Sequence, residues 1–193
     1  MPDHHAPRYP YPELTDLPDD IRERILAVQE KAGFVPNIFL MMARRPAEFR
    51  AFFAYHDALM EKDVGLTKAE REMIVVATSS ANDCLYCVIA HGAILRIRAK
   101  NPRVSDQVAV DYPKAEIAPR QKVMLDFALK VAREPASLAD ADYATLHDHG
   151  FSDEDIWDIG SIAGFFALSN RLAHFTAMPP NDEFYLMGRL PKT

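Results

Sequence analysis

The chain has 193 residues, 49% of them hydrophobic, which is enough apolar side chain to form one globular core. Its formal net charge of −6 argues against a nucleic-acid-binding protein, because such proteins usually present a basic surface. No apolar run reaches the roughly 18 residues that a transmembrane helix requires, so the sequence predicts no membrane span and no membrane partner.

The first 18 residues are predicted to form an extended arm ahead of a single helical domain over residues 19–193. The prolines of this arm are Pro2, Pro7, Pro10, Pro12 and Pro18. Such an arm either frays or wraps a neighbour. It also lacks the basic start and apolar core of a secretory signal, and the chain has only two cysteines, so we expect a reducing, cytoplasmic location.

Two apolar stripes at helical spacing precede the central part of the chain. The first follows the arm and ends at Gly33, a helix stop signal. The second begins at Pro46 and contains His56 between Phe52 and Met60. A lone histidine without a partner in its segment is more often a packed residue than a catalytic one, so we interpret His56 as structural.

The segment 67–95 contains both cysteines of the chain and is the candidate for its chemistry. Cys84 and Cys87 are three residues apart, and His91 follows four residues later. On one helix these three side chains would share a face. A pair of thiols with a base beside it is typical of a redox site.

A cysteine becomes a nucleophile by losing its proton, and the sequence suggests how this is achieved. Asn82 and Asp83 are good N-cap residues, which would put Cys84 and Cys87 near the first turn of a helix. There the helix dipole favours a thiolate. His91 would then accept the proton of Cys87 from one turn away.

Glu72 is the predicted partner of His91. Thr67 and Glu70 have the pattern of a capping box and predict the start of the helix that carries Glu72, and the polar run 79–83 predicts a turn. Counted from that turn, Glu72 lies about 15 Å back and His91 about 12 Å forward. In an antiparallel helix pair the carboxylate would orient the imidazole, directly or through a water.

Other interpretations of the cysteine pair stay open. Two cysteines on a helix can be small apolar core residues. The pattern C-x2-C-x3-H, with Glu72 as a fourth ligand, could bind zinc, although structural zinc sites usually use two separated ligand pairs and the chain has no second one. The joint placement of Glu72, Cys84, Cys87 and His91 favours a redox site without a metal or cofactor.

Segment 151–177 begins in the same way as segment 67–95. The aligned pairs are Thr67 with Ser152, Glu70 with Asp155, and Cys84 with Ser169. This pattern predicts an internal duplication whose second copy lacks the thiols. No alternation typical of β-strands is found anywhere, so the predicted fold is all-α.

The motif E-x11-C-x2-C-x3-H, formed by Glu72, Cys84, Cys87 and His91, resembles the core motif of the alkylhydroperoxidase AhpD family, within the carboxymuconolactone decarboxylase-like superfamily. The sequences GFVPN at 33–37 and NRLAHFTAMPPNDEFYLMGR at 170–189 resemble the subgroup of uncharacterised peroxidase-related enzymes. The resemblance therefore covers most of the chain, with its specificity concentrated in the four-residue motif.

This resemblance implies an AhpD-like helical fold, a homo-oligomer of trimer or hexamer type, and thiol-dependent reduction of hydroperoxides. It implies that Cys87 is activated through His91, a water and Glu72, and that Cys84 closes a disulfide with it. An external dithiol, lipoyl-type or thioredoxin-like, would reset the pair. Which cysteine is attacked first stays open.

One residue departs from the family pattern. The sequence is also compatible with functions other than a peroxidase. The well-studied peroxidase of the family has a histidine where this chain has Tyr86, and a phenol cannot replace an imidazole as a base at neutral pH. The alternatives are a dithiol redox switch or binding protein without efficient turnover, a zinc-binding helical module, and a lyase whose thiols are incidental.

Overall fold

The computed structural model describes residues 6–189, and within them it contains ten α-helices, three short 3-10 turns and no β-strand. The helices are α1 (Asp19–Ala32), α2 (Asn37–Ala43), α3 (Pro46–Met60), α4 (Lys68–Ala81), α5 (Leu85–Ala99), α6 (Val104–Asp111), α7 (Pro119–Arg133), α8 (Asp140–Asp148), α9 (Asp153–Phe175) and α10 (Glu183–Leu186). The predicted all-α fold is confirmed. None of these helices is long and apolar enough to cross a membrane.

Helix α4 lies at the centre of the fold and packs against α5, α6, α7 and α9. Every residue from 70 to 79 is buried, so the helix is surrounded by protein on all sides over this stretch. A polar side chain buried in this way must find its partners inside the protein. Glu72 is one of these buried residues, and its partners belong to the candidate site.

Helices α4 and α9 begin with the same capping structure. The Thr67 hydroxyl accepts a hydrogen bond from the Glu70 N–H at 3.2 Å, and the Glu70 carboxylate accepts one from the Thr67 N–H at 2.9 Å. Ser152 and Asp155 repeat both bonds, at 3.2 and 2.9 Å. The capping box is thus confirmed. The duplication stays a prediction, and Ser169, the aligned counterpart of the first cysteine, lies inside the continuous helix α9.

The described part of the N-terminal arm lies against the helices. The Arg8 N–H donates to the Thr176 carbonyl at 2.8 Å, and the Pro10 carbonyl accepts a hydrogen bond from Arg44 at 2.7 Å. The arm includes a 3-10 turn at Leu14–Asp16. The division into an arm and a domain stays a prediction, and its residues 1–5 and 190–193 lie outside the described part.

The turn between α4 and α5 differs in detail from the sequence prediction. Helix α4 continues to Ala81, Asn82 follows as its C-cap, and Asp83 has a φ of 53°, in the left-handed region. An N-cap residue needs an extended backbone, which Asp83 therefore cannot offer. The N-cap of α5 is Cys84 itself, so the expectation that Asn82 or Asp83 would cap this helix is wrong.

Buried apolar side chains form a large central cluster and a smaller second one. The second cluster lies where α2, α5, the end of α9 and α10 meet, and it includes both cysteines. Its members are Phe34, Met41, Cys84, Tyr86, Cys87, Ala90, Ala93, Ala173, Met178 and Phe184. The thiols are thus enclosed by apolar groups rather than exposed at the surface.

A buried arginine joins α4 to α9. Arg71 is 0% exposed, and its guanidinium lies 2.9 Å from the Asp158 carboxylate. It also donates hydrogen bonds to the carbonyls of Leu59 and Val64, at 2.8 and 3.0 Å. Arg71 therefore holds the chain before α4 and the first half of α9 in one arrangement.

We expect Asp158→Asn to lower the free energy of unfolding by about 3 kcal/mol, because it leaves the buried Arg71 charge without its counter-ion. Urea denaturation measures this change. The control is Asp153→Asn, which removes the carboxylate of an exposed pair with His147 and should cost at most about 1 kcal/mol. Equal losses in both variants would contradict the prediction.

Candidate active site

Both cysteines are free thiols at the start of α5, and each is 1% exposed. Cys84 is the N-cap residue, and its sulfur accepts a hydrogen bond from the Cys87 N–H at 3.4 Å. A sulfur at an N-cap lies beside unpaired backbone N–H groups and the positive end of the helix dipole. The local fold therefore favours negative charge on Cys84.

The two thiols differ in acidity. A hydrogen bond from the Cys87 thiol lowers the pKa of Cys84 below its ordinary value, and this effect, with that of the Cys87 N–H, outweighs burial. The same hydrogen bond, together with burial, raises the pKa of Cys87. The first proton lost thus leaves the anion on Cys84, with Cys87 as its donor.

Glu72 and His91 meet across the α4–α5 pair. The Nδ1 atom of His91 lies 2.8 Å from Oε2 of Glu72, so the contact is direct, and no bridging water is needed. Arg98 approaches the other carboxylate oxygen of Glu72 at 3.4 Å. Oε2 of Glu72 accepts a hydrogen bond from Nδ1 of His91, which leaves the Nε2 atom of His91 as the nitrogen that can exchange a proton.

Cys87 and His91 line one cavity of about 140 Å³. Cys87 and His91 make no direct hydrogen bond to each other, and the transfer of a proton between them stays a prediction. The edge of the His91 ring packs against Phe166, with ring centroids 4.7 Å apart. The other lining residues are Arg24, Pro36, Ile38, Phe39, Phe52, Phe53, His56, Asp57, Tyr86, Ala90, Ile94, Ser169 and Phe184. Most of the wall is aromatic or aliphatic.

Tyr86 has a structural role beside the thiols. Its side chain is buried, and its hydroxyl accepts a hydrogen bond from the Ile38 N–H at 3.1 Å. Burial raises the pKa of this phenol, so it remains protonated at neutral pH. Tyr86 therefore links the start of α2 to α5 through a hydrogen bond. The Glu72–His91 pair is the proton-handling group on this side of the cavity.

Comparison with known proteins identifies the family of this chain. The model of the carboxymuconolactone decarboxylase family matches residues 46–110, which include Glu72, Cys84, Cys87 and His91. The solved structure of an uncharacterised peroxidase-related protein from Ralstonia eutropha JMP134, described as an alkylhydroperoxidase AhpD core, is 69% identical. The alignment covers 96% of this chain and 98% of that one, with a TM-score of 0.95.

The chain belongs to the AhpD-like carboxymuconolactone decarboxylase family. An uncharacterised peroxidase-related protein from Silicibacter sp. TM1040 is 42% identical over 90% of this chain and 91% of that one, with a TM-score of 0.87. The debrominase Bmp8 is 18% identical over 92% and 94%, with a TM-score of 0.76, and shares the fold alone. No curated protein is significantly similar in sequence.

In this AhpD-like chain, helix α9 holds the turn that carries the thiols. Asn170 accepts a hydrogen bond from the Asn82 side chain and donates one to the Ser79 hydroxyl, both at 2.9 Å. His174 donates to the Asn82 carbonyl at 2.9 Å. Sequence reasoning did not assign roles to Asn170 and His174, although both lie in the segment 170–189 that resembles the peroxidase-related subgroup.

His56 was also missed as a member of the site. It lines the same cavity as Cys87 and His91, and its Nδ1 atom lies 3.1 Å from the Asp57 carboxylate. The partner that the sequence interpretation found lacking is therefore the next residue in the chain. Only the coordinates show that these two side chains meet.

Within residues 6–189, no three His, Cys, Asp or Glu side chains are grouped so that they could hold a metal ion. The four motif residues act as two separate pairs. The sulfur of Cys84 faces Cys87, and the imidazole of His91 faces Glu72. The zinc-binding alternative has no support from this arrangement.

The hydrogen bond that the Cys87 thiol donates should lower the pKa of Cys84. We expect the pKa of Cys84 to be higher in Cys87→Ala than in Cys87→Ser, because serine keeps a hydroxyl donor for the thiolate and alanine has none. The ultraviolet absorbance of the thiolate, followed against pH, measures this pKa. Each variant has one thiol, so each is the control for the other. Equal values would show that the N-cap position alone sets the acidity.

Proposed function

We propose that this AhpD-family chain reduces alkyl and other organic hydroperoxides with the Cys84–Cys87 pair. The observation that carries the proposal is that Cys87 opens into a small apolar cavity shared with His91, while Cys84 lies behind it within hydrogen-bonding distance. An oxidisable thiol, a second thiol and an oriented base are thus available together. They match what a two-cysteine peroxidase requires.

The proposed cycle has three balanced steps. A thiolate attacks the terminal oxygen of the hydroperoxide; an S–O bond forms, the O–O bond breaks, and the alkoxide leaves as the alcohol after taking up a proton. The second thiol, losing its own proton, attacks the sulfenic sulfur; a disulfide forms, and hydroxide leaves as water after protonation. An external dithiol, lipoyl-type or thioredoxin-like, then reduces this disulfide and becomes a disulfide itself.

Access and acidity favour different thiols as the first to react. Cys84 has the lowered pKa, but only Cys87 is among the residues that line the cavity. A thiolate that a peroxide cannot reach is not oxidised, however acidic it is. We therefore propose that Cys87 is the thiol that the peroxide oxidises first, after its proton has passed to His91, and that Cys84 closes the disulfide.

The cavity wall supports an organic substrate. Five of its lining side chains are phenylalanines, namely Phe39, Phe52, Phe53, Phe166 and Phe184. Burying a small alkyl or aryl group against such a wall is favourable at about 25 cal/mol per Å² of apolar surface. Hydrogen peroxide gains nothing of this kind. We therefore propose that organic hydroperoxides are preferred over hydrogen peroxide.

We also propose a cytoplasmic location and a homo-oligomeric assembly. Cytoplasmic location follows from the need to keep the dithiol reduced. A homo-oligomer of trimer or hexamer type is consistent with the large apolar side chains that α9 exposes, Trp157, Leu168 and Phe175.

We expect one equivalent of cumene hydroperoxide to consume both thiols of the reduced protein, and dihydrolipoamide to restore them. Cys84→Ser and Cys87→Ser should each abolish turnover. Cys84→Ser should still form a sulfenic acid that dimedone traps, because Cys87 remains, whereas Cys87→Ser should not. A thiol count and mass spectrometry measure these outcomes.

Three results would contradict parts of this proposal. Turnover in either serine variant would exclude the disulfide cycle. A sulfenic acid only in Cys87→Ser would mean that acidity decides the order of attack. Reversible oxidation without turnover in the native protein would instead support a dithiol redox switch.

We expect Glu72→Gln to lower kcat/KM for cumene hydroperoxide by about tenfold or more, because general acid–base catalysis typically contributes roughly 100- to 10,000-fold and Glu72 orients the base. Steady-state kinetics with dihydrolipoamide measure the change. The control is Glu61→Gln, since Glu61 also binds Arg98, at 2.6 Å, but does not touch His91. Equal losses in both variants would assign the effect to Arg98 instead.

A further inference from the structure

A second histidine–carboxylate–arginine group lines the cavity of the candidate active site. Nδ1 of His56 lies 3.1 Å from Oδ1 of Asp57, and Oδ2 of Asp57 lies 2.7 Å from Arg24. His56, Asp57 and Arg24 all line the cavity. The group comes from α1 and α3, whereas the Glu72–His91 pair comes from α4 and α5.

The two groups have the same chemical order. In each one, an arginine and the Nδ1 atom of a histidine share a carboxylate, which is Asp57 in one and Glu72 in the other. The hydrogen bond from His56 and the Arg24 charge hold the pKa of Asp57 below its ordinary value. This carboxylate therefore stays ionised and orients His56 so that its Nε2 atom is the proton-exchanging nitrogen.

Packing alone explains the ring of His56 but not its partners. The ring lies 6.1 Å from Phe165 and 6.5 Å from Phe166, between centroids, and a phenylalanine or leucine could fill the same space. An imidazole bonded to a carboxylate on the wall of a mostly apolar cavity is a proton-handling arrangement. Among the described residues, its Nε2 atom has no hydrogen-bond partner.

The exposure of His56 suggests which oxygen of the hydroperoxide it protonates. Exposure increases from Cys87 at 1%, through the His91 side chain at 14%, to the His56 side chain at 24%. When sulfur attacks the terminal oxygen of a hydroperoxide, the leaving oxygen lies on the side away from the sulfur. His91 follows Cys87 by one turn of the same helix, whereas His56 comes from α3 and is the more exposed of the two histidines.

We propose that His56 is the catalytic residue that donates a proton to the leaving alkoxide, an inference that rests on the proposed peroxidase function. The Cys87 thiolate forms the S–O bond, the O–O bond breaks, and the alkoxide takes the proton from the His56 imidazolium, giving an alcohol, a sulfenic acid and neutral imidazole. His56 regains its proton from solvent through the exposed side of the cavity. His91 takes the thiol proton, so His91 acts as the base and His56 as the acid.

The test compares substrates whose leaving groups differ in basicity. Reduced His56→Gln is mixed with tert-butyl hydroperoxide, whose alkoxide needs a proton, and with peracetic acid, whose acetate does not. We expect the rate of thiol loss to fall at least about tenfold with the first substrate and to stay within about twofold with the second. His147→Gln is the matched control, because His147 also pairs with an aspartate but lies 48% exposed outside the cavity.

Each other outcome overturns a stated part of the proposal. An equal fall in the rate of thiol loss with both substrates would mean that His56 has only a packing role, and the proposed peroxidase function would stand. A native protein that loses no thiols to either substrate would overturn the proposed function, and the role of His56 with it. If His56→Gln melts below the assay temperature, Asp57→Asn is tested with the same two substrates. This variant leaves the His56 ring in place and removes the carboxylate that orients it. Equal rates for Asp57→Asn and native protein with tert-butyl hydroperoxide would then overturn the proposal.

Discussion

The antiparallel packing of α4 against α5 is the constraint on which the rest of the site depends. It brings Glu72 to His91 at 2.8 Å and puts Cys84 at the point where the chain reverses. The reversal needs Asp83 in the left-handed region, a conformation that aspartate adopts more readily than most residues. The turn is held from outside by Asn170 and His174 of α9. A change in the turn would therefore move the thiols and the base together.

The dithiol combines two physical effects that act on different sulfurs. A free cysteine is only a few per cent thiolate at neutral pH, and each unit by which its pKa falls raises that fraction almost tenfold. The helix start and the Cys87 donor give this advantage to Cys84, whereas the cavity gives access to Cys87. The more acidic thiol and the accessible thiol are therefore different residues of the pair.

The cavity wall is mostly apolar and carries two histidines, each oriented by a carboxylate. Electrostatic interactions are stronger in such surroundings than in water, so a carboxylate such as Glu72 has a larger effect on its imidazole there. The pairing also explains why a buried carboxylate is tolerated on α4, since both of its oxygens have partners. Tyr86, which replaces a histidine of the well-studied family peroxidase, contributes to the wall and to the anchoring of α2.

Local sequence patterns determined the helical fold, the capping box at Thr67 and the pairing of Glu72 with His91. Each depends on interactions within a few residues or on the 1.5 Å rise of a helix, which spacing alone conveys. Only the tertiary structure decided that Cys84 rather than Asn82 or Asp83 caps α5, that Cys87 rather than Cys84 opens into the cavity, and that His56 lies in the same cavity. These features arise where α1, α3, α5 and α9 meet, and contacts between helices distant in sequence leave no periodic pattern in any one of them.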